Sequence, residues 1–210
     1  MAVVQKITGD VSISGNLVLG PTSTISPTRP RTELALESLA VYPVPANQWF
    51  VFDSGQTLPS TAASDDCGVT VGTHGTGTPV ITAGDVKNTA STRYARTQIA
   101  LPPEYSAGQT VTIRVSGATK TTVASTSSTV DLQVYKTDRA GAVDGSDLCA
   151  TSAQSINSTT FGDKDFTITS TSLEPGDILD VLLSLAYSDT ATATAVTPTV
   201  TVELLCDIRG

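Results

Sequence analysis

The sequence predicts an all-β protein: an antiparallel β-sandwich of jelly-roll type, with an extended N-terminal arm and one short helix. Three observations predict it. First, the 210 residues include 35 Thr and 22 Ser but only 15% charged side chains, and Thr, being β-branched, suits a pleated, half-buried surface and fills helices poorly. Second, apolar and polar residues alternate in short segments from Gln48 onward, the period of strands with one wet and one dry face. Third, turn-rich connections such as Ser106-Ala107-Gly108-Gln109 and Glu174-Pro175-Gly176-Asp177 join these segments. The 39% hydrophobic content suffices for one core, since a β-domain of about 150 residues buries about 70% of its unfolded surface. One sandwich over residues 32–210 and an arm over 1–31 are therefore expected.

The arm comes first. Val11 to Leu19 alternates apolar and hydroxyl residues around Gly15-Asn16, and Gly20-Pro21 through Pro30 breaks any regular element. A strand or small hairpin followed by a tether is expected, with too few large side chains to build a core, so that it orders only by pairing with another strand. Thr32 to Ala40 is the expected helix: Thr32 caps it, Glu33 meets the positive end of its dipole, and Leu36, Leu39 and Ala40 share a face. Pro43 and Pro45 stop it. Two turns are too few to stand alone, so this helix must lie against a sheet or a partner.

The strands follow. Trp49 to Phe52 is an apolar run, Thr78 to Thr82 reads as an edge strand because of Pro79, and Tyr94 to Leu101 is closed by Pro102-Pro103. Thr110 to Ser116 turns Val111, Ile113 and Val115 inward; Thr129 to Lys136 does the same with Val130, Leu132 and Val134. Asp165 to Thr169 and Ile178 to Tyr187 come next, the latter with Val181 and Leu183 inward. Thr199 to Ile208 closes the set, with Val200, Val202, Leu204, Cys206 and Ile208 on one face. Strands of this kind close two packed sheets, and a jelly roll is the commonest eight-stranded arrangement.

Charge and composition narrow the function. Twelve Lys plus Arg against 20 Asp plus Glu leave a net charge of −8, the wrong sign for a nucleic-acid partner. No signal-peptide core is expected at the N-terminus, and no apolar run approaches the roughly 18 residues of a membrane span. Cys67, Cys149 and Cys206 are an odd, widely spaced set, read as three reduced thiols filling apolar space after folding in a reducing cytoplasm.

Three places have residue types that could carry chemistry. Asp65-Asp66-Cys67-Gly68 precedes the single His, His74, within a Gly-rich run. A Cys–His nucleophile needs hydrogen-bond geometry that spacing does not supply, and the run lacks the Lys of a phosphate loop, so a surface loop is expected. Asp138, Asp144 and Asp147 offer oxygen ligands for calcium, but their spacing is not that of an EF-hand, and turn formation explains the same residues. Trp49, Tyr42 or Tyr94 could form an aromatic platform for a sugar, although a lone Trp in an apolar run is more often core. No catalytic residue, metal or cofactor is assigned, and the protein is expected not to be an enzyme.

Thr92-Arg93-Tyr94-Ala95-Arg96, Ala100-Leu101-Pro102-Pro103-Glu104-Tyr105, Ala107-Gly108-Gln109-Thr110-Val111-Thr112 and Gly145-Ser146-Asp147-Leu148-Cys149 resemble a virion structural protein family of tailed bacteriophages, of the capsid decoration (cement) or head-fibre type. The segment Gly9-Asp10-Val11-Ser12-Ile13-Ser14-Gly15-Asn16-Leu17 is similar to short β-repeats near the start of phage fibre and appendage proteins. The resemblance implies a virion protein without saying which one and supplies no functional residues; the expected place is the capsid surface, after assembly in the host cytoplasm.

An arm before a compact module suggests docking on the major capsid protein by strand addition through Val11, Ile13, Leu17, Val18 and Leu19. Leu36, Leu39, Trp49 and Phe50 are the expected interface of a homotrimer, the closed symmetry that a shell's three-fold positions favour. The alternatives are a head-fibre or tail-appendage subunit that binds host surface glycans, and a carbohydrate-binding module.

Overall fold

The computed structural model describes residues 37–119, 127–137, 143–190 and 197–209. The chain divides between Ala35 and Leu36 into two units, and every described element belongs to the second. These are β1 (Glu37–Val44), a single 3-10 turn (Ala46–Gln48), β2 (Gly68–Thr70), β3 (Val80–Thr82), β4 (Thr89–Ala100), β5 (Val111–Thr119), β6 (Ser127–Thr137), β7 (Val143–Asp144), β8 (Gln154–Ser155), β9 (Gly162–Ile168), β10 (Ile178–Asp189) and β11 (Pro198–Arg209).

The strands form two antiparallel sheets packed as a sandwich, consistent with a jelly roll. The first runs β2-β3-β11-β5-β9. Opposite β5, two strands share the long edge of β11 end to end: β3 pairs with Thr199 and Val200, and β1 with Val202 to Arg209. The second sheet runs β4-β10-β6, with β7 at one end of the outer edge of β6 and β8 at the other.

The strand period builds the core. Because successive side chains point to opposite faces, Val111, Ile113 and Val115 enter from β5, Val130, Leu132 and Val134 from β6, and Val181 and Leu183 from β10, all buried. Val200, Val202, Leu204 and Cys206 enter from β11 and are buried too, whereas Ile208, at the strand's end, is half-buried. Burying one such aliphatic side chain contributes about 1.5–3 kcal/mol, so the alternating positions of these long strands hold the sandwich together.

Three local expectations are overturned. Glu37 to Ala40 is not helical: it opens β1, whose ladder runs from Glu37 opposite Arg209 to Val44 opposite Val202. A two-turn helix nucleates poorly, whereas an eight-residue ladder satisfies backbone groups along an otherwise open edge of β11, so pairing outweighs propensity. Pro43 is tolerated there because β1 pairs with β11 alone among the described strands. β3 is not an edge: it lies between β2 and β11, and Pro79 stands just outside it, where a missing N–H costs no ladder bond. Trp49 to Phe52 is not a strand either. Only Phe50 pairs, its N–H donating to the Arg96 carbonyl at 2.9 Å and its carbonyl accepting from the Arg96 N–H at 3.0 Å, before the chain turns back on itself.

Candidate functional site

Each inward alternation leaves an outward one, and two outer surfaces stand out. The first is on β1. Ala40, Tyr42 and Val44 point toward the sandwich, while Leu39, Val41 and Pro43 point away, with Leu39 60% and Val41 50% exposed. Across the ladder stand Asp207, Leu205 and Glu203, so an apolar stripe runs between two carboxylates. Beside it a cleft of about 480 Å³ separates β1 from β4, lined by Tyr42, Val44, Gln48, Phe50, Thr97 and Ile99.

The second surface is the outer face of the β4-β10-β6 sheet. Register sets Arg96, Leu182 and Gln133 in one row and Gln98, Asp180 and Tyr135 in the next. Arg96 reaches diagonally to Asp180, its Nε donating to Oδ1 at 2.7 Å and its Nη2 to Oδ2. This bidentate hydrogen bonding raises the guanidinium pKa above its ordinary value. Phe52, from the turn after Val51, rests on Tyr94 with ring centroids 5.0 Å apart and planes at 49°. Together Phe52, Arg96, Gln133, Tyr135, Asp180 and Leu182 line a groove of about 260 Å³.

The residues expected to form sites are distributed unevenly. Val11, Ile13, Leu17, Val18, Leu19 and Leu36 lie outside the described residues. Of the expected interface, Leu39 is exposed and Phe50 half-buried, but Trp49, 1% exposed, is packed inside its own chain, so its large apolar surface serves the core. A helical reading leaves out Val41, although the alternation Leu39, Val41, Pro43 carries its signal.

Cys67 is fully buried, and burial pushes its thiol up to about 12, leaving it protonated near neutral pH and a poor nucleophile. His74 lies on an exposed turn in which the Thr76 and Gly77 N–H groups donate to the Thr73 carbonyl. The two are therefore not assembled for catalysis. Asp147 accepts from the backbone N–H groups of Val134 and Cys149, both at 2.9 Å, which spends one carboxylate oxygen on turn formation. Asp138 lies outside the described residues, Asp144 is in β7, and among the described residues no group of three or more His, Cys, Asp or Glu is placed to hold a metal. All three cysteines are free. Of the expected sugar platform, Trp49 is buried, Tyr42 is half-buried beside the cleft, and Tyr94 is half-buried against Phe52.

Fold and surfaces together define an all-β, jelly-roll-like sandwich module. No protein-family model matches the chain, and no curated protein does. Similar solved structures include the CBM22-1 xylan-binding domain of Paenibacillus barcinonensis Xyn10C, at 12% identity and TM-score 0.41 over 84% of this chain and 98% of that one. The C-terminal family 22 carbohydrate-binding module of Clostridium thermocellum Xyn10B is 15% identical, with TM-score 0.36 over 78% and 87%. The structure of infectious bursal disease virus Gx strain is 18% identical, with TM-score 0.26 over 80% of this chain and 37% of that one. Likenesses of this size carry no argument about ligand or role.

Proposed function

We propose that this chain is a structural protein of a bacteriophage particle, a capsid decoration or cement protein that docks on the major capsid protein through residues 1–31 and turns its sandwich outward. The observation that carries the reading is β1. β1, the first described strand, pairs with β11 alone among the described strands and exposes Leu39 and Val41 side by side. An edge strand accepts an added strand and an exposed apolar stripe favours a protein contact, so β1 supports attachment in addition to the contact expected of the arm. Many copies on a shell then hold by avidity, each contact being individually modest.

The rest of the molecule suits this role. Long ladders around one core resist local opening, and hence proteolysis. Free, largely buried thiols agree with assembly in a reducing host cytoplasm. Copies of the chain associate as a homotrimer, with Leu39 and Val41 gathered near its axis. The function is attachment and reinforcement rather than catalysis, with neither nucleic acid nor membrane as partner.

Quantitative mass spectrometry of purified particles tests the reading. Hundreds of copies per particle are expected, with Ile13→Asp and Val41→Asp variants failing to cosediment with particles that lack the wild-type protein, because an unpaired carboxylate buried in such a contact is costly. A handful of copies would assign the chain to a head fibre or tail appendage that binds host glycans. Absence from the particle would overturn the virion reading.

A further inference from the structure

We infer that the groove on the outer face of the β4-β10-β6 sheet binds a neutral polysaccharide strand. A pyranose presents two unlike surfaces: an apolar face of C–H bonds and a rim of hydroxyls that each donate and accept. Recognition therefore needs ring faces or aliphatic surface beside planar polar groups whose positions are already fixed. The groove has both. Phe52, Tyr135 and Leu182 supply apolar surface, and Val143, 52% exposed on β7, lies at its margin. Gln133 contributes an amide that both donates and accepts, and Arg96 a guanidinium with five N–H donors, of which Asp180 takes two.

The polar groups are set before any ligand arrives. The Arg96 side chain is 39% exposed while its partner Asp180 is 7% exposed, so the carboxylate acts as a buried anchor that aims a guanidinium still open to solvent. Arg96, Gln133 and Asp180 stand on three adjacent strands in fixed register, which spares much of the ordering cost of binding.

Charge selects among saccharides. Arg96 and Asp180 cancel within the groove, and the chain carries a net charge of −8, so an acidic polysaccharide is repelled at long range and meets no surplus cation on arrival. Size points to a polymer. At about 260 Å³ the groove is below the roughly 300–1,000 Å³ that encloses a small molecule, and it suits a short run of a longer strand lying across the sheet. This site is on the sheet opposite β1, so glycan binding and the proposed capsid attachment stand or fall separately.

Native affinity electrophoresis of the full chain, in gels holding soluble β-glucan, galactomannan or arabinoxylan, with alginate as the acidic counterpart, tests the site. At least one neutral polymer should retard the protein. Tyr135→Ala and Gln133→Ala should each weaken that retardation at least tenfold, whereas Thr112→Ala, on β5 of the other sheet, should be retarded as wild type is. Because Tyr135 is half-buried, the exposed Gln133 provides the variant that leaves packing untouched. No retardation by any neutral polymer, retardation by alginate alone, or equal retardation of wild type and both variants would overturn the inference. So would self-association through this face, seen as a dimer that Tyr135→Ala abolishes.

Discussion

Replacing Gly117 by Ala should destabilise the sandwich, while the same change at Gly162, directly opposite in the β5–β9 ladder, should not. Neither glycine has a positive φ, so backbone strain does not enter and the contrast isolates packing. A Cβ on Gly117 would meet Ile156 Cγ2 at 2.7 Å, and Ile156 Cβ and Val200 Cγ1 at 3.2 Å, where carbon atoms prefer about 3.5–4.0 Å. Ile156 cannot retreat easily. It is 1% exposed, and its N–H donates to the Ser128 carbonyl at 2.9 Å, tying the chain after β8 to the second sheet.

Overpacking of this kind costs about 1–3 kcal/mol, of which the stiffer unfolded chain of an Ala variant returns about 0.4–1 kcal/mol. The net expectation at Gly117 is a loss of about 1–2 kcal/mol. At Gly162 nothing lies within 4 Å of the added methyl, so only the entropic gain of about 0.4–1 kcal/mol remains. Urea unfolding followed by the fluorescence of Trp49 reads both as shifts in midpoint at constant slope. Ile156→Ala alone should cost about 2–5 kcal/mol, and the Gly117→Ala/Ile156→Ala double variant should cost at least about 0.5 kcal/mol less than the sum of the singles. A benign Gly117→Ala, or strict additivity, would show that the segment after β8 yields freely and would refute the argument.

Three further outcomes are expected. Leu132→Ala and Leu204→Ala, which open cavities from opposite sheets, should each cost about 2–5 kcal/mol in the same unfolding assay; a loss under about 1 kcal/mol would place that side chain outside the packed core. The buried Cys67 thiol, raised from an ordinary 9.0 to about 12, keeps its proton longer folded than unfolded. Its contribution is therefore intact below about pH 9 and lost as pH rises toward 12, by about 4 kcal/mol over that window. Cys67→Ala should flatten the decline in midpoint between pH 8 and pH 11, and an unchanged decline would show that the thiol is not held protonated. By analytical ultracentrifugation the wild type should sediment as a trimer at micromolar concentration, with Leu39→Asp and Val41→Asp shifting it toward monomer without unfolding the sandwich; a monomeric wild type would refute the trimer.

Much of the sandwich was legible in the sequence because a strand with one buried face writes its period into the chain. Val111, Ile113 and Val115 declare a strand and its inner face without reference to any partner, and so do Val130, Leu132 and Val134, and Val200 through Cys206. Propensity and alternation are local quantities, and long strands accumulate enough of them to outweigh competing signals. Trp49 suits a core and an interface equally by its sequence; its burial shows that within a short apolar run, hydrophobicity alone does not say which side chain faces inward.

The tertiary structure decided what depends on a neighbour. Glu37 to Val44 satisfies a weak helix pattern and an equally weak strand pattern, and only the open edge of β11 resolves it, because ladder hydrogen bonds exist only where a second strand stands. Pro79 looked like the mark of an edge, yet its missing N–H matters only at a paired position, and pairing begins one residue later. The polar groove is the extreme case. Arg96 and Asp180 are 84 residues apart, with Gln133 and Tyr135 between them, and no spacing rule links the four. Register across three strands brings them together, and register is set by the whole core that those strands enclose.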